Sequence, residues 1–306
     1  MTLKDLTTLY EGNRSGVLLI HGLGGTPVEM KTVAKRLNAA GHTVLCCQLA
    51  GHCGTEKDLA ASYWQEWYAS AEAALGQLEG RCDSIVVGGL SMGGLLAAKL
   101  AAAQGSRVHG IVILAPTLWY DGWAMPWYAV LLKLLRPYIG IFPFLKHWSF
   151  DEREPYGIKD ERVRKIILQA MTSGDSTLAG VFATPAHALR ELWRLTDALK
   201  PELPKARQPA LIVQAREDDI ASIRNAQYLE RKLGGVVETL ILDDSYHLVT
   251  VDQQRHVVTD RVVAFVDQVA KAARRSQSAQ PAQPAQPEQP AKPVQPGKEA
   301  VAIHAA

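Results

Sequence analysis

One short run constrains this chain more than any other feature: Gly89-Leu90-Ser91-Met92-Gly93, followed by Gly94. The residues before it, 84–87, are short and β-branched and read as a strand. The residues after it, 92–104, are rich in Ala and Leu and read as a helix. A serine placed between strand and helix sits on a strained turn that lifts its hydroxyl above the sheet. Side chains two positions away on either side would meet neighbouring backbone, and both positions are Gly. The helix then aims its N-terminus at the site, where its dipole favours developing negative charge. The plain alternative is a Gly-rich turn of no chemical consequence, but the strand–turn–helix setting argues for a nucleophile.

The rest of the chain repeats the same alternation. Short apolar runs at 17–20, 43–47, 111–114, 210–213 and 236–242 read as further strands. Thr26-Pro27-Val28-Glu29 offers an N-cap, a first-turn proline and a capping-box Glu for a helix that Gly41 stops. Ser62 is expected to cap a helix reaching residue 79, and further helices are expected over 222–233 and 253–272. Repeated strand–helix units imply an α/β fold: a mostly parallel central sheet flanked by helices on both faces. In such sheets ligands bind beyond the carboxyl ends of the strands.

Two segments break the alternation. Residues 117–207 show helices but no convincing strands and begin with the run WYDGWAMPWYAVLLKLLRPYIGIFPFL. They are expected to form a helical cap inserted into a core made of 1–116 and 208–275. Residues 276–306 repeat Gln-Pro and Ala-Gln-Pro and bury too little apolar surface to fold, so a disordered tail is expected.

Composition narrows the function classes. Of 306 residues 47% are hydrophobic and 21% charged, a globular profile. The net charge of +2 gives no electrostatic case for nucleic acid or an anionic membrane. Cys46, Cys47, Cys53 and Cys82 lack the paired spacing of a zinc site and read as buried reduced thiols. Cys46 and Cys47 are expected on one strand, pointing to opposite faces. The N-terminus has no apolar stretch of signal length, and no apolar run is long enough for a membrane helix, so a cytoplasmic location is expected.

A serine hydroxyl needs a base. Among nine histidines, His247 follows the last expected strand and precedes the last helix, at the same sheet edge as Ser91. His42 and His109 precede strands, His147 and His187 fall in the insertion, His256 on a helix and His304 in the tail. The base needs a carboxylate to fix its tautomer and stabilise the imidazolium. Asp218 and Asp219 follow the strand over 210–215. Asp218 is preferred, with the other of the two expected to be a solvated loop carboxylate. Two backbone N–H groups should hold a tetrahedral oxyanion. Met92, next to the nucleophile, and Leu23, in the Gly-rich loop His21-Gly22-Leu23-Gly24-Gly25, are the candidates, with His21 shaping the loop. That loop lacks the Lys and Ser/Thr of a phosphate-binding loop.

Taken together, HGLGGTPVEM, GLSMGG, LIVQAREDDI and DDSYHLVTVD resemble bacterial carboxylesterases and monoacylglycerol lipases of the α/β-hydrolase superfamily. The likeness covers residues 16–269 and includes Gly51-His52-Cys53-Gly54-Thr55, similar to that family's GHG-T loop with Cys53 where Gly is usual. The resemblance implies Ser91, Asp218 and His247 as the triad, Leu23 and Met92 as oxyanion donors, and neither metal nor organic cofactor. It implies a small-molecule acyl ester as substrate, cleaved through an acyl-enzyme. Trp119, Trp123 and Trp127, among other apolar residues of the insertion, are candidates for an acyl-chain pocket, against the alternative that they pack the insertion onto the core. Contact of this aromatic segment with a membrane surface is a weaker expectation. The same residues would serve a peptidase, an amidase or a thioesterase, and a non-catalytic binding relative is the alternative from another class.

Overall fold

The computed structural model describes residues 5–125, 148–151, 153–172, 180 and 183–278. Its strands are β1 (Thr8–Tyr10), β2 (Asn13–Ile20), β3 (His42–Cys47), β4 (Ser84–Leu90), β5 (Gly110–Leu114), β6 (Ser149–Asp151), β7 (Ala183–Pro185), β8 (Ala210–Ala215) and β9 (Val237–Leu242). Seven of them form one sheet in the order β1-β3-β2-β4-β5-β8-β9. All neighbours pair in parallel except β1, which runs antiparallel to β3. Every residue of β3, β4, β5 and β8 is buried, as expected for parallel strands covered on both faces.

The helices are α1 (Lys31–Ala39), α2 (Glu56–Ala61), α3 (Trp64–Glu79), α4 (Met92–Gln104), α5 (Glu161–Thr172), α6 (Ala186–Leu199), α7 (Arg224–Lys232) and α8 (Arg255–Ser278). The period-2 alternation of the strands separates two apolar layers. Leu18, Ile20, Leu45 and Cys47 face α3, α4 and α6. Val17, Leu19, Val44 and Cys46 face α1 and α8. The adjacent Cys46 and Cys47 therefore lie on opposite faces, and all four cysteines are free and buried. Burial pushes the thiols of Cys46, Cys47 and Cys53 up to about 12. The central helix α4 is apolar all round and buried along most of its length, between the sheet, α3 and α6.

The structure departs from the sequence expectations in four places. The edge strand β1 is three residues long and largely exposed, too short and too polar to show an alternation. Residues 56–61 form a separate helix, α2, with a Thr55/Asp58 capping box; α3 is capped through Tyr63, whose N–H donates to Glu66. Ser62 ends α2 instead of starting α3, and its hydroxyl accepts from the buried Trp67 Nε1 (2.9 Å). The stretch expected to hold only helices contains the antiparallel pair β6–β7. Helix α8 runs past residue 272 to Ser278, because Lys271-Ala272-Ala273-Arg274-Arg275 are good helix formers and proline arrives only at 281. The rest of the expected tail, 279–306, lies outside the described residues, as do Trp127 and the apolar run through 126–147.

Helix α6 belongs by sequence to the interval 117–207, yet Ala188, Leu192, Leu195 and Leu199 pack into the same layer as α3 and α4. Their helical spacing makes one apolar stripe, which has to be covered by the core. No helix among the described residues is long and apolar enough to cross a membrane.

Candidate active site

The serine turn forms between β4 and α4. Ser91 takes φ 55° and ψ −118°, a left-handed region that non-glycine residues rarely occupy. The neighbouring glycines make room for it. A Cβ on Gly89 would collide with the Gly93 backbone, and one on Gly93 with the carbonyls of Ile20 and His21. The Ser91 N–H donates to Leu114 O (2.7 Å), which ties the turn to the next strand. Its hydroxyl lies 2.9 Å from Thr117 Oγ1. Thr117 Oγ1 also lies 3.3 Å from Ala115 O, and either hydroxyl can donate within the Ser91–Thr117 pair. Met92 begins α4, and its N–H has no acceptor one turn back along the helix.

His247 lies on the loop between β9 and α8, and Asp218 on the loop after β8. His247 Nδ1 stands 2.9 Å from Asp218 Oδ2 and 3.1 Å from Oδ1, and both side chains are buried. The remaining acceptor sites of Asp218 are filled: Oδ1 accepts from Ile220 N (2.9 Å) and Ala221 N (2.7 Å), and Oδ2 from Gln214 Nε2 (2.8 Å). Burial by itself would lower the His247 pKa. The charge and hydrogen bond of Asp218, helped by Asp219 and Glu29, outweigh it and raise the pKa above the usual imidazole value.

Asp219 is buried as well, against the expectation that one of the two aspartates would be solvated. Its Oδ2 accepts from Gly157 N (2.9 Å) and its Oδ1 from His247 N (3.3 Å). Burial raises its pKa, against the pull of His247 and these hydrogen bonds. The sequence gives no warning of this, because the partner backbone lies about sixty positions away.

The loop after β2 carries His21 to Gly25. Gly25 N donates to Gly22 O (3.2 Å), closing a turn around Leu23. Burial, and then the nearby His52, lower His21 to about 3, so its ring is neutral. Its Nδ1–H donates to Gly22 O (2.8 Å), and Nε2 accepts from Leu49 N (3.2 Å). The ring thus braces this loop against the loop after β3. Cys53, on that second loop, has φ 65°, which accounts for glycine being usual there in the family it resembles.

Of the aromatic candidates, Trp119 packs edge-on against Tyr228 (5.1 Å) with Lys200 Nζ 4.8 Å from its ring, and its backbone N–H donates to Asn225. Trp123 is 60% exposed, edge-on to Tyr246, with Nε1 donating to Glu217 O (2.9 Å). Thr117, Gln214, Asp219 and Glu29 are site residues that sequence reasoning did not assign. Thr117 and Gln214 follow or end strands at the carboxyl edge, the one signal that marks them. Among the described residues no cluster of three or more His, Cys, Asp or Glu is arranged to hold a metal.

A parallel sheet with a serine at a strand-to-helix elbow, and a histidine–carboxylate pair on two later strand-end loops, defines an α/β-hydrolase. The chain belongs to the Hydrolase_4 family, described as serine aminopeptidase, S33, whose model matches residues 12–254. It is 29% identical over 257 residues to the thermostable monoacylglycerol lipase of Bacillus sp. (strain H-257), spanning 83% of this chain and 91% of the relative. It is 22% identical over 263 residues to a carboxylesterase of Bacillus subtilis (strain 168), spanning 85% and 95%. Among solved structures it superposes with TM-score 0.71 on a protein from work on the metagenome-derived lipolytic enzymes LipS and LipT, at 28% identity over 86% of this chain and 97% of that one.

Proposed function

We propose that this chain is a carboxylic ester hydrolase that works by two-step acyl transfer through Ser91, His247 and Asp218. The observation that carries the reading is the buried His247–Asp218 pair, 2.9 Å apart, at the same sheet edge as the strained Ser91 turn. Asp218 holds Nδ1–H and leaves Nε2 as the basic nitrogen. Ser91 leaves Thr117, gives its proton to His247 Nε2 and attacks the ester carbonyl. The N–H groups of Leu23 and Met92 hold the oxyanion, each worth about 3–4 kcal/mol in the transition state. The imidazolium protonates the departing alcohol, and a water activated by His247 then releases the acid. The relatives matched over most of their length, named as a lipase and a carboxylesterase, support an acyl ester as substrate. The segment after Thr117 is the proposed cap, and its apolar sequence favours an acyl chain carrying a small alcohol.

The test is hydrolysis of p-nitrophenyl esters from short to long acyl chains by wild type and Ser91→Ala. Turnover by the wild type that disappears in the variant supports the reading, and the preferred chain length sizes the cap. Because the family's description names an aminopeptidase, matched aminoacyl anilides belong in the same assay. Anilide turnover without ester turnover would overturn the ester reading while keeping the triad.

A further inference from the structure

Glu29 reads in the sequence as an ordinary capping-box residue, and besides the pull of the Thr26 N–H its carboxylate has a second partner. Thr26 Oγ1 accepts from Val28 N (3.3 Å), and the Glu29 carboxylate reaches back beyond the cap into the loop that carries Leu23. Glu29 Oε2 accepts from Gly22 N (3.0 Å). The carboxylate lies so close under Gly25 that a Cβ there would collide with it. A Cβ on Gly22 would stand 3.6 Å from both Glu29 Oε2 and Ser91 Cβ, so only this loop separates the carboxylate from the nucleophile.

We propose that Glu29 is a positioning residue for ester hydrolysis, holding Gly22 and Gly25 from beneath so that Leu23 N–H stays aimed at the oxyanion, while its charge acts on His247. The proposal rests on the acyl-transfer reading above. The geometry makes the first half direct: a carboxylate bonded at Gly22 and packed under Gly25 grips the loop on both sides of Leu23. The second half is electrostatic. The titratable groups around Glu29 are His247 on the loop after β9, Cys53 on the loop after β3, and His21 beside Gly22, with Asp218 and Asp219 beyond His247. Cys53 and His21 are neutral near pH 7, since the Cys53 thiol is pushed up to about 12 and the His21 ring down to about 3, both mainly by burial. His247 is therefore the charged group that answers Glu29. Desolvation raises Glu29 to about 7, against the pull of Gly22 N–H, His247 and Thr26 N–H, so its charge changes near neutral pH. Ionised Glu29 favours the imidazolium and raises the proton affinity of His247.

The experiment is a pH profile of kcat/KM on one p-nitrophenyl ester for wild type, Glu29→Gln and Glu29→Ala, with circular dichroism melts and Ser91→Ala as control. Glutamine keeps the shape and an acceptor for Gly22 N–H but drops the charge. Its acid limb is expected to move to lower pH by about half a unit, with plateau kcat within about threefold of wild type. Alanine drops both, and its plateau kcat should fall by about tenfold or more with KM little changed, less than removal of a whole oxyanion donor. An acid limb that stays in place in folded Glu29→Gln overturns the proposal, whatever Glu29→Ala does. Should Glu29→Ala fail to fold, the glutamine profile alone decides. Ester turnover that survives in Ser91→Ala would instead bring down the acyl-transfer reading, so the two failures are distinguishable.

Discussion

The serine turn and the segment that follows β5 are built on opposite principles. At the turn, backbone touches backbone: Gly89 meets Gly93, and Gly93 meets the end of β2, with no room for one more carbon. The segment after Thr117 is instead fastened by polar staples. Asp121 accepts from Ser222 N (2.9 Å), Ser222 Oγ (2.8 Å) and Asn225 Nδ2 (2.9 Å), and Asp252 accepts from Lys159 N, Asp160 N and Tyr246 N. Steric contact leaves the serine turn almost no freedom, whereas hydrogen bonds hold Asp121 and the Gly157–Asp160 stretch with energies of about 1 kcal/mol each. If, as proposed, that segment caps the site, reaction type should be rigidly encoded in the turn and substrate choice adjustable in the segment.

Substitutions on the two sides should break that contrast if it is wrong. The largest effect is expected for Asp218→Asn, which leaves the geometry and spoils the His247 tautomer: kcat on a short ester should fall by about 10⁴. Gly93→Ala comes next, with a loss of at least about 3 kcal/mol in thermal unfolding, because its methyl has only the Ile20 and His21 carbonyls to enter. Asp219→Asn should cost about tenfold in kcat, since Asp219 touches the base through backbone N–H and not through the ring. A loss equal to that of Asp218→Asn would merge the two roles. Asp121→Ala should lower stability by about 2 kcal/mol and change the ratio of long- to short-chain ester turnover more than the rate on short esters. Trp123→Ala should be smallest: its ring is mostly exposed, so stability should stay within about 0.5 kcal/mol, read from the same melts.

Much of the core was legible in the sequence because its constraints are local. Five of the six expected strands begin within one residue of the observed ones, and β2 begins four residues earlier than its apolar core suggests. The helix over 92–104 matches end for end, and Gly105, at φ 53°, caps it. Ser91, Asp218 and His247 each sit on a loop whose position follows from the strand–helix count alone. What stayed hidden was long-range pairing. Asp219 looks like any loop carboxylate until Gly157 arrives from sixty-two positions upstream. Glu29 satisfies the capping pattern so well that its bond to Gly22 leaves no trace in the spacing. Helix α6 falls in the interval 117–207 by position while its leucine stripe packs with α3 and α4, because residue order says nothing about which layer a helix joins.

The bridge made by Asp219 ties a loop contact and a protonation equilibrium into one thermodynamic cycle. Its oxygens are shared between Gly157, on the segment inserted after β5, and the backbone of His247, while Leu248 N returns a bond to Gly157 O (2.7 Å). A carboxylate accepts more strongly when ionised, and a positive imidazole nearby favours that form. The seating of the Gly157 loop and the proton count of the base are thus reciprocal variables: whatever strengthens one must strengthen the other by the same free energy.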